Sequence, residues 1–234
     1  MNLDIQRIRA ICFDIDGTLS DTDDLYMLRL SGMLTPLKFF LKGKDTKASA
    51  RRLITTIETP GNWLLSLADK MGIDDELGRA VDFLQRISKR ATSHRHLLVP
   101  GVTEMLEMLY PRFPMSIVSA RRHYMVLHFL QAFNLTRFFP VIASAQTCTH
   151  TKPYPDQILW AARQMGIAPQ ACVMVGDTVV DIQAGKAAGA QTVGVLCGFG
   201  TADELHQAGA DLIIESTSEL APLLGNISDV NPRG

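Results

Sequence analysis

From Leu97 onward the chain alternates short apolar, β-branched runs with stretches of helical character, and this alternation constrains the fold more than any other feature. Runs at Met115–Ser119, Val141–Ala143, Cys172–Val175, Thr192–Leu196 and Asp211–Ile214 each read as a strand covered on both faces. Helices are expected over Thr103–Tyr110, over Pro155–Met165 with proline in the first turn and Gly166 at the end, and over Ile182–Ala188. Strands that alternate with helices imply a parallel sheet. A sixth run, Ala10–Phe13, stands alone ahead of them, separated by an insert of about 75 residues in which only helical spacing and breaks are found. The expected fold class is therefore α/β. A Rossmann-like parallel-sheet core is drawn from residues 1–19 and 97–234, and a helical domain, residues 20–96, is inserted after the first strand.

Sites in such sheets form at the carboxyl ends of the strands. The first strand runs into Asp14-Ile15-Asp16-Gly17-Thr18, the second ends at Ser119, and the fourth opens into Gly176-Asp177-Thr178-Val179-Val180-Asp181. Alone, the two acids after the first strand read as a solvated turn. Asp177 alone reads as a helix cap, with Asp181 an ordinary first-turn acid on the same helix face. Together they are different. Three or four carboxylates at one sheet edge repel strongly unless a hard dication neutralises them, and an oxygen-only ligand set selects Mg²⁺, an ion that goes with phosphate. Lys152, held extended by the following Pro153, reads either as a surface lysine in a proline-rich loop or as the ammonium that holds a nucleophile and phosphoryl oxygens by charge. Ser119 reads either as a strand-end serine bonded to its own backbone or as a donor to a transferring phosphoryl group.

Composition narrows the partner. Charges nearly balance, 23 basic against 24 acidic, so no global field draws the chain to nucleic acid or an anionic membrane. No run approaches the roughly 18 apolar residues of a membrane span, and Met1–Arg9 lacks the apolar segment of a signal peptide. Cys12, Cys148, Cys172 and Cys197 have no metal or redox spacing and read as reduced and mostly buried. A cytoplasmic protein acting on a small molecule is expected. Within the insert, the stripes Leu64–Met71 and Leu77–Ala91 are core-facing helix faces, and the basic run Lys38–Arg52 reads as a solvated face or as a positive rim for an anionic substrate. Ile227–Gly234 reads as a loose tail.

The chain resembles the haloacid dehalogenase superfamily, in particular its phosphoglycolate phosphatase-like members with a helical cap. The resemblance rests on Asp14-Ile15-Asp16-Gly17-Thr18, Ser119, Lys152-Pro153 and Gly176-Asp177 with Asp181, in that order. It extends through Gly194-Val195, Gly198-Phe199-Gly200 and Ala208-Gly209-Ala210-Asp211, while residues 20–96 match only in position and helicity. It implies that Asp14 is the nucleophile and becomes an aspartyl phosphate, and that Asp16 is the general acid and base. Ser119 and Lys152 would assist catalysis, and Thr18, Ser119, Ala120 and Lys152 would contact substrate. It further implies a Mg²⁺ ion on the Asp14 carboxylate, the Asp16 carbonyl and Asp177, with Asp181 supporting it. The implied reaction is hydrolysis of a small phosphorylated metabolite such as phosphoglycolate. A mutase of the β-phosphoglucomutase type and a non-catalytic ligand-binding protein are the alternatives. Asp16 argues against a dehalogenase. One departure stands out: family members commonly carry asparagine after the second-motif hydroxyl, whereas this chain reads Ser119-Ala120-Arg121-Arg122. Arg121 then reads either as a contact to the leaving group or as a helix-start arginine facing solvent. Oligomeric state is left open.

Overall fold

The computed structural model describes residues 3–21 and 97–225. These belong to one compact unit drawn from Met1–Asp23 and His96–Gly234. The helical domain expected over residues 20–96, with its apolar stripes and basic run, lies outside the described residues except for Ser20 and Asp21, as does the expected tail.

Six strands form the sheet: β1 (Ala10–Phe13), β2 (Met115–Val118), β3 (Val141–Ala143), β4 (Cys172–Gly176), β5 (Gln191–Val195) and β6 (Leu212–Ile214). All pairings are parallel and the spatial order is β3-β2-β1-β4-β5-β6. The chain thus builds outward on one side of β1 and then on the other, so the strand order reverses at β1 and β4. That reversal opens a crevice at the carboxyl ends of neighbouring strands. In register, Phe13 lies beside both Ile117 and Val175, which brings the residues after β1, β2 and β4 to one edge.

Six helices among the described residues connect the strands: α1 (Val102–Leu109), α2 (His123–Ala132), α3 (Asp156–Met165), α4 (Val179–Ala187), α5 (Ala202–Gln207) and α6 (Leu220–Gly225). The two-residue period of β1 sorts its side chains by size. Ile11 and Phe13 pack with Leu106, Phe129 and Leu220 on one face, whereas Ala10 and Cys12 pack with Ile158, Ala161 and Ala184 on the other. Small residues on the second face let α3 and α4 sit close to the sheet. Both faces are covered, as buried parallel strands require. The expected strand bounds agree to within a residue at each end, and Gly166 ends α3 in the left-handed conformation, φ 69°. All four cysteines are free; Cys12 and Cys172 are buried, whereas Cys148 and Cys197 are partly exposed because they sit in loops beyond the strands. No helix among the described residues is long and apolar enough to cross a membrane.

The chain leaves and rejoins this unit through one doorway. Asp21 N–H donates to Leu97 C=O at 2.8 Å and Val99 N–H to Leu19 C=O at 3.0 Å, so the two strands of chain flanking residues 22–96 run side by side and antiparallel.

Candidate active site

After Phe13 the backbone N–H of Asp14 donates to Val175 C=O at 3.0 Å, which extends the sheet pairing by one residue and fixes Asp14 at the rim of the crevice. The chain then turns sharply. The N–H groups of Leu19 and Ser20 both donate to Ile15 C=O, and Gly17 adopts φ 72°, a conformation that disfavours a side chain. Asp14 is nearly buried, while the Asp16 side chain is 38% exposed, so the two acids have unlike surroundings.

Lys152 enters from the loop ahead of α3. Its ammonium lies 2.7 Å from Asp14 Oδ1 and 2.6 Å from Asp181 Oδ1, and its side chain is buried, which settles its two readings against a surface lysine. Burial opposes charge on Lys152, but the Asp14 and Asp181 carboxylates outweigh it and raise its pKa above the ordinary lysine value. Thr178 starts α4 and is extended, φ −118° and ψ 159°. Asp181 Oδ2 accepts from the Thr178 N–H and hydroxyl, at 3.0 and 2.6 Å. Asp181 therefore both caps the helix and holds Lys152. Asp177 precedes the extended Thr178 and meets the cluster from the turn, so it is not the helix cap it reads as when taken alone, and the shared helix face expected for Asp177 and Asp181 is corrected.

Asp177 is fully buried, with Oδ2 accepting from the Phe199 N–H at 2.8 Å and its carbonyl accepting from the Gly200 N–H at 3.1 Å. Thr18 is also fully buried, its hydroxyl 3.4 Å from Asp177 Oδ1, so it faces the acid cluster and supports Asp177. One carboxylate oxygen from each of Asp14, Asp177 and Asp181 lies within 4.8 Å of the others. Burial pushes the Asp14 carboxyl up to about 7; Lys152 pulls it down, while Asp181 and Asp16 add to the rise. Burial also raises Asp177 well above the usual carboxylate range, and Asp181 and Asp14 raise it further. Three buried acids facing one ammonium lack positive charge. An oxygen-only set in that condition fits a hard dication.

The structure also gives the physical reason for a glycine that the sequence offered only as part of the resemblance, and brings in one residue that sequence reasoning missed. A Cβ on Gly198 would lie 2.1 Å from Asp177 Oδ2, so the loop after β5 approaches that carboxylate as closely as a backbone can. The glycine pair at Gly198 and Gly200 was the available signal. Gly198→Ala is expected to displace the Asp177 carboxylate, and a divalent ion taken up by the cluster would then bind about 10–100-fold more weakly; titration calorimetry with Mg²⁺ measures it. Gln157 is buried on α3, and its amide donates to the carbonyls of Ser119 at 3.0 Å and Ser144 at 2.8 Å, tying the element after Lys152 to the end of β2. A polar residue on the inward face of α3, beside Ile158, was its only trace in the sequence.

Ser119 is buried at the end of β2, and its Oγ accepts from the Arg121 N–H at 3.2 Å, a backbone bond that leaves its own O–H available as a donor. Ala120 next to it is exposed at the site's rim. Arg121 is not the solvent-facing arginine of one expectation: its side chain is 11% exposed and forms an ion pair with Asp16.

A buried carboxylate, an ammonium on it, a half-exposed second acid and a cation-deficient cluster thus meet at one sheet edge. The sequence profile of the haloacid dehalogenase-like hydrolases matches residues 11–195, and the chain belongs to that family. Among curated relatives, it is similar to the phosphoglycolate phosphatase of Shigella dysenteriae serotype 1 (strain Sd197), 30% identical over 240 residues and covering 93% of each chain. The phosphoglycolate phosphatase of Escherichia coli (strain K12) is 29% identical, with the same coverage. Among solved structures, a hydrolase from Pseudomonas syringae superposes with a TM-score of 0.70 at 24% identity, covering 94% of this chain and 100% of that one. CbbY from Rhodobacter sphaeroides, solved in complex with phosphate, gives a TM-score of 0.61 at 23% identity, covering 91% and 96%. Both structures share the fold.

Proposed function

We propose that the protein is a Mg²⁺-dependent phosphatase of small phosphate monoesters, phosphoglycolate being the leading candidate. The reading rests on the Lys152 ammonium seated between Asp14 and Asp181 beside a buried, cation-deficient acid cluster. The curated relatives add the substrate class. Their alignments cover 93% of the chain and so reach into residues 22–96, the expected cap domain.

An ion held by the Asp14 and Asp177 carboxylates and the Asp16 carbonyl, with Asp181 behind them, would neutralise the acids and the phosphoryl oxygens. Asp14 attacks phosphorus as the bond to the alcohol oxygen breaks, and Asp16 donates a proton to that oxygen. Asp16 then takes a proton from water. The water oxygen bonds to phosphorus, the Asp14–phosphorus bond breaks, and inorganic phosphate leaves. Lys152 orients Asp14 and offsets part of the cost of its charge, and Ser119 and the Ala120 N–H bind the transferring group. Purified protein with Mg²⁺ should release phosphate from p-nitrophenyl phosphate and from members of a metabolite panel, and stop on chelation. Interconversion of sugar phosphates without net release would point to a mutase, and ligand binding without turnover to a binding protein; either would refute the proposal.

The acid cluster also sets a pH dependence. The Asp14 carboxyl keeps its proton in the folded, metal-free protein up to about pH 7, against an ordinary value of 3.8. Between those values the folded state binds more protons than the unfolded one, so metal-free stability falls as pH rises, on the order of a few kcal/mol across the window. Mg²⁺ should therefore raise the melting temperature more at pH 8 than at pH 5. Thermal melts at both values check this, and equal shifts would contradict it.

A further inference from the structure

Arg121 reaches Asp16 from the loop after β2. Its Nε donates to Asp16 Oδ2 at 2.7 Å and its Nη2 to Oδ1, so one guanidinium forks both oxygens. The arginine is fixed along its whole length. Its N–H donates to Ser119 Oγ, its carbonyl accepts from the Ala145 N–H at 2.9 Å, and its guanidinium carbon stands 5.6 Å from the Phe129 ring centroid. Phe129 is itself fully buried in the core. A planar fork held over a core ring loses little freedom when it binds a carboxylate, and it defines the plane of that carboxylate. The third nitrogen, Nη1, is buried and has no hydrogen-bond partner among the described residues, so the contact to Asp16 accounts for the bonded end of the side chain.

We propose that Arg121 is a positioning residue for Asp16: it holds the carboxyl in the plane from which a proton reaches the leaving oxygen beside Asp14. The inference rests on the phosphatase reading above and assigns to the Ser-Ala-Arg departure a place in the reaction. Its effect depends on the leaving group. An alkoxide needs the proton; p-nitrophenolate leaves without it.

The test is a double-mutant cycle on two substrates, an alkyl phosphate and p-nitrophenyl phosphate, with Mg²⁺ saturating. Arg121→Ala is expected to lower kcat on the alkyl ester about 10–100-fold, as misplacing a catalytic group does, with at most a few-fold change in KM and a tenfold smaller loss on the aryl ester. In an Asp16→Asn background the same substitution should cost nothing further on the alkyl ester, because the group it positions is gone. Arg121→Lys, which keeps the charge but not the fork, should show the same selectivity with a smaller loss, and it decides the matter if the alanine variant does not fold by circular dichroism. Equal losses on both esters, or losses that add in the Asp16→Asn background, would overturn the proposal and assign Arg121 to substrate contact or to stability. A wild-type protein inactive on both esters would instead overturn the phosphatase reading beneath it.

Discussion

Asp14→Asn removes turnover and at the same time stabilises the metal-free protein. The amide keeps the shape of the carboxylate but is no nucleophile, so kcat should fall by about 10⁴-fold or more, the range seen when a group that takes part in covalent catalysis is lost. The same change deletes one of three acids that burial and mutual repulsion leave short of positive charge. At pH 8, where the wild-type carboxyl has lost its proton, the variant should melt higher than wild type without metal, and Mg²⁺ should raise it less. Phosphate release and thermal melts check the two halves. Retained turnover would exclude Asp14 as nucleophile. Lost turnover with a collapsed melting transition would show only that the fold had failed.

Lys152→Met has the opposite sign in stability. Lys152 is the cation that touches both Asp14 and Asp181, and its side chain is 5% exposed. Removing one member of a buried ion pair leaves its partners uncompensated, at about 3–5 kcal/mol. The raised pKa of Lys152 means its contribution is complete at neutral pH and is lost only as pH climbs through the folded value, above the ordinary lysine pKa. The loss is therefore read in full at pH 8, where Asp14 has lost its proton and Lys152 keeps its own. Activity should fall about 10²–10³-fold as well, since a fixed charge aimed at developing phosphoryl charge is gone. Mg²⁺ should recover part of the stability and little of the rate. Denaturant unfolding with and without Mg²⁺, alongside kcat, measures both.

The sheet was legible because buried parallel strands have a strong local signature: short β-branched runs such as Cys172–Val175 need no long-range information. Asp14, Asp16 and Asp177 were legible as acids at strand ends, Asp181 as an acid in the following helix and Lys152 as a loop lysine before proline, and the structure brings four of the five into one cluster with Asp16 beside it. Other features were not legible, each for a physical reason. Bounds for α2 could not be drawn, since Tyr124 and Met125 put apolar side chains on its exposed face; α5 and α6 are six residues each, too short to show a period. The demand for glycine at Gly198 comes from a carboxylate 21 positions earlier, and the Arg121 fork joins residues 105 apart. The glycine pair marks the first only as a pattern without its cause, and the second leaves no local trace. Asp177 and Asp181 were read as one helix face from their spacing, but the extended Thr178 breaks that geometry, and the two acids meet through the turn instead.

The most direct test of the account is to trap the covalent intermediate. Protein turning over phosphate ester with Mg²⁺ is quenched in acid and treated with borohydride, which reduces an acyl phosphate to an alcohol and leaves free carboxylates untouched. Peptide mass spectrometry should then find homoserine at position 14, in substrate-treated protein only. Homoserine at another aspartate, or phosphate release with no reducible acyl group at any position, would contradict the assignment of Asp14 as the nucleophile of a phosphatase.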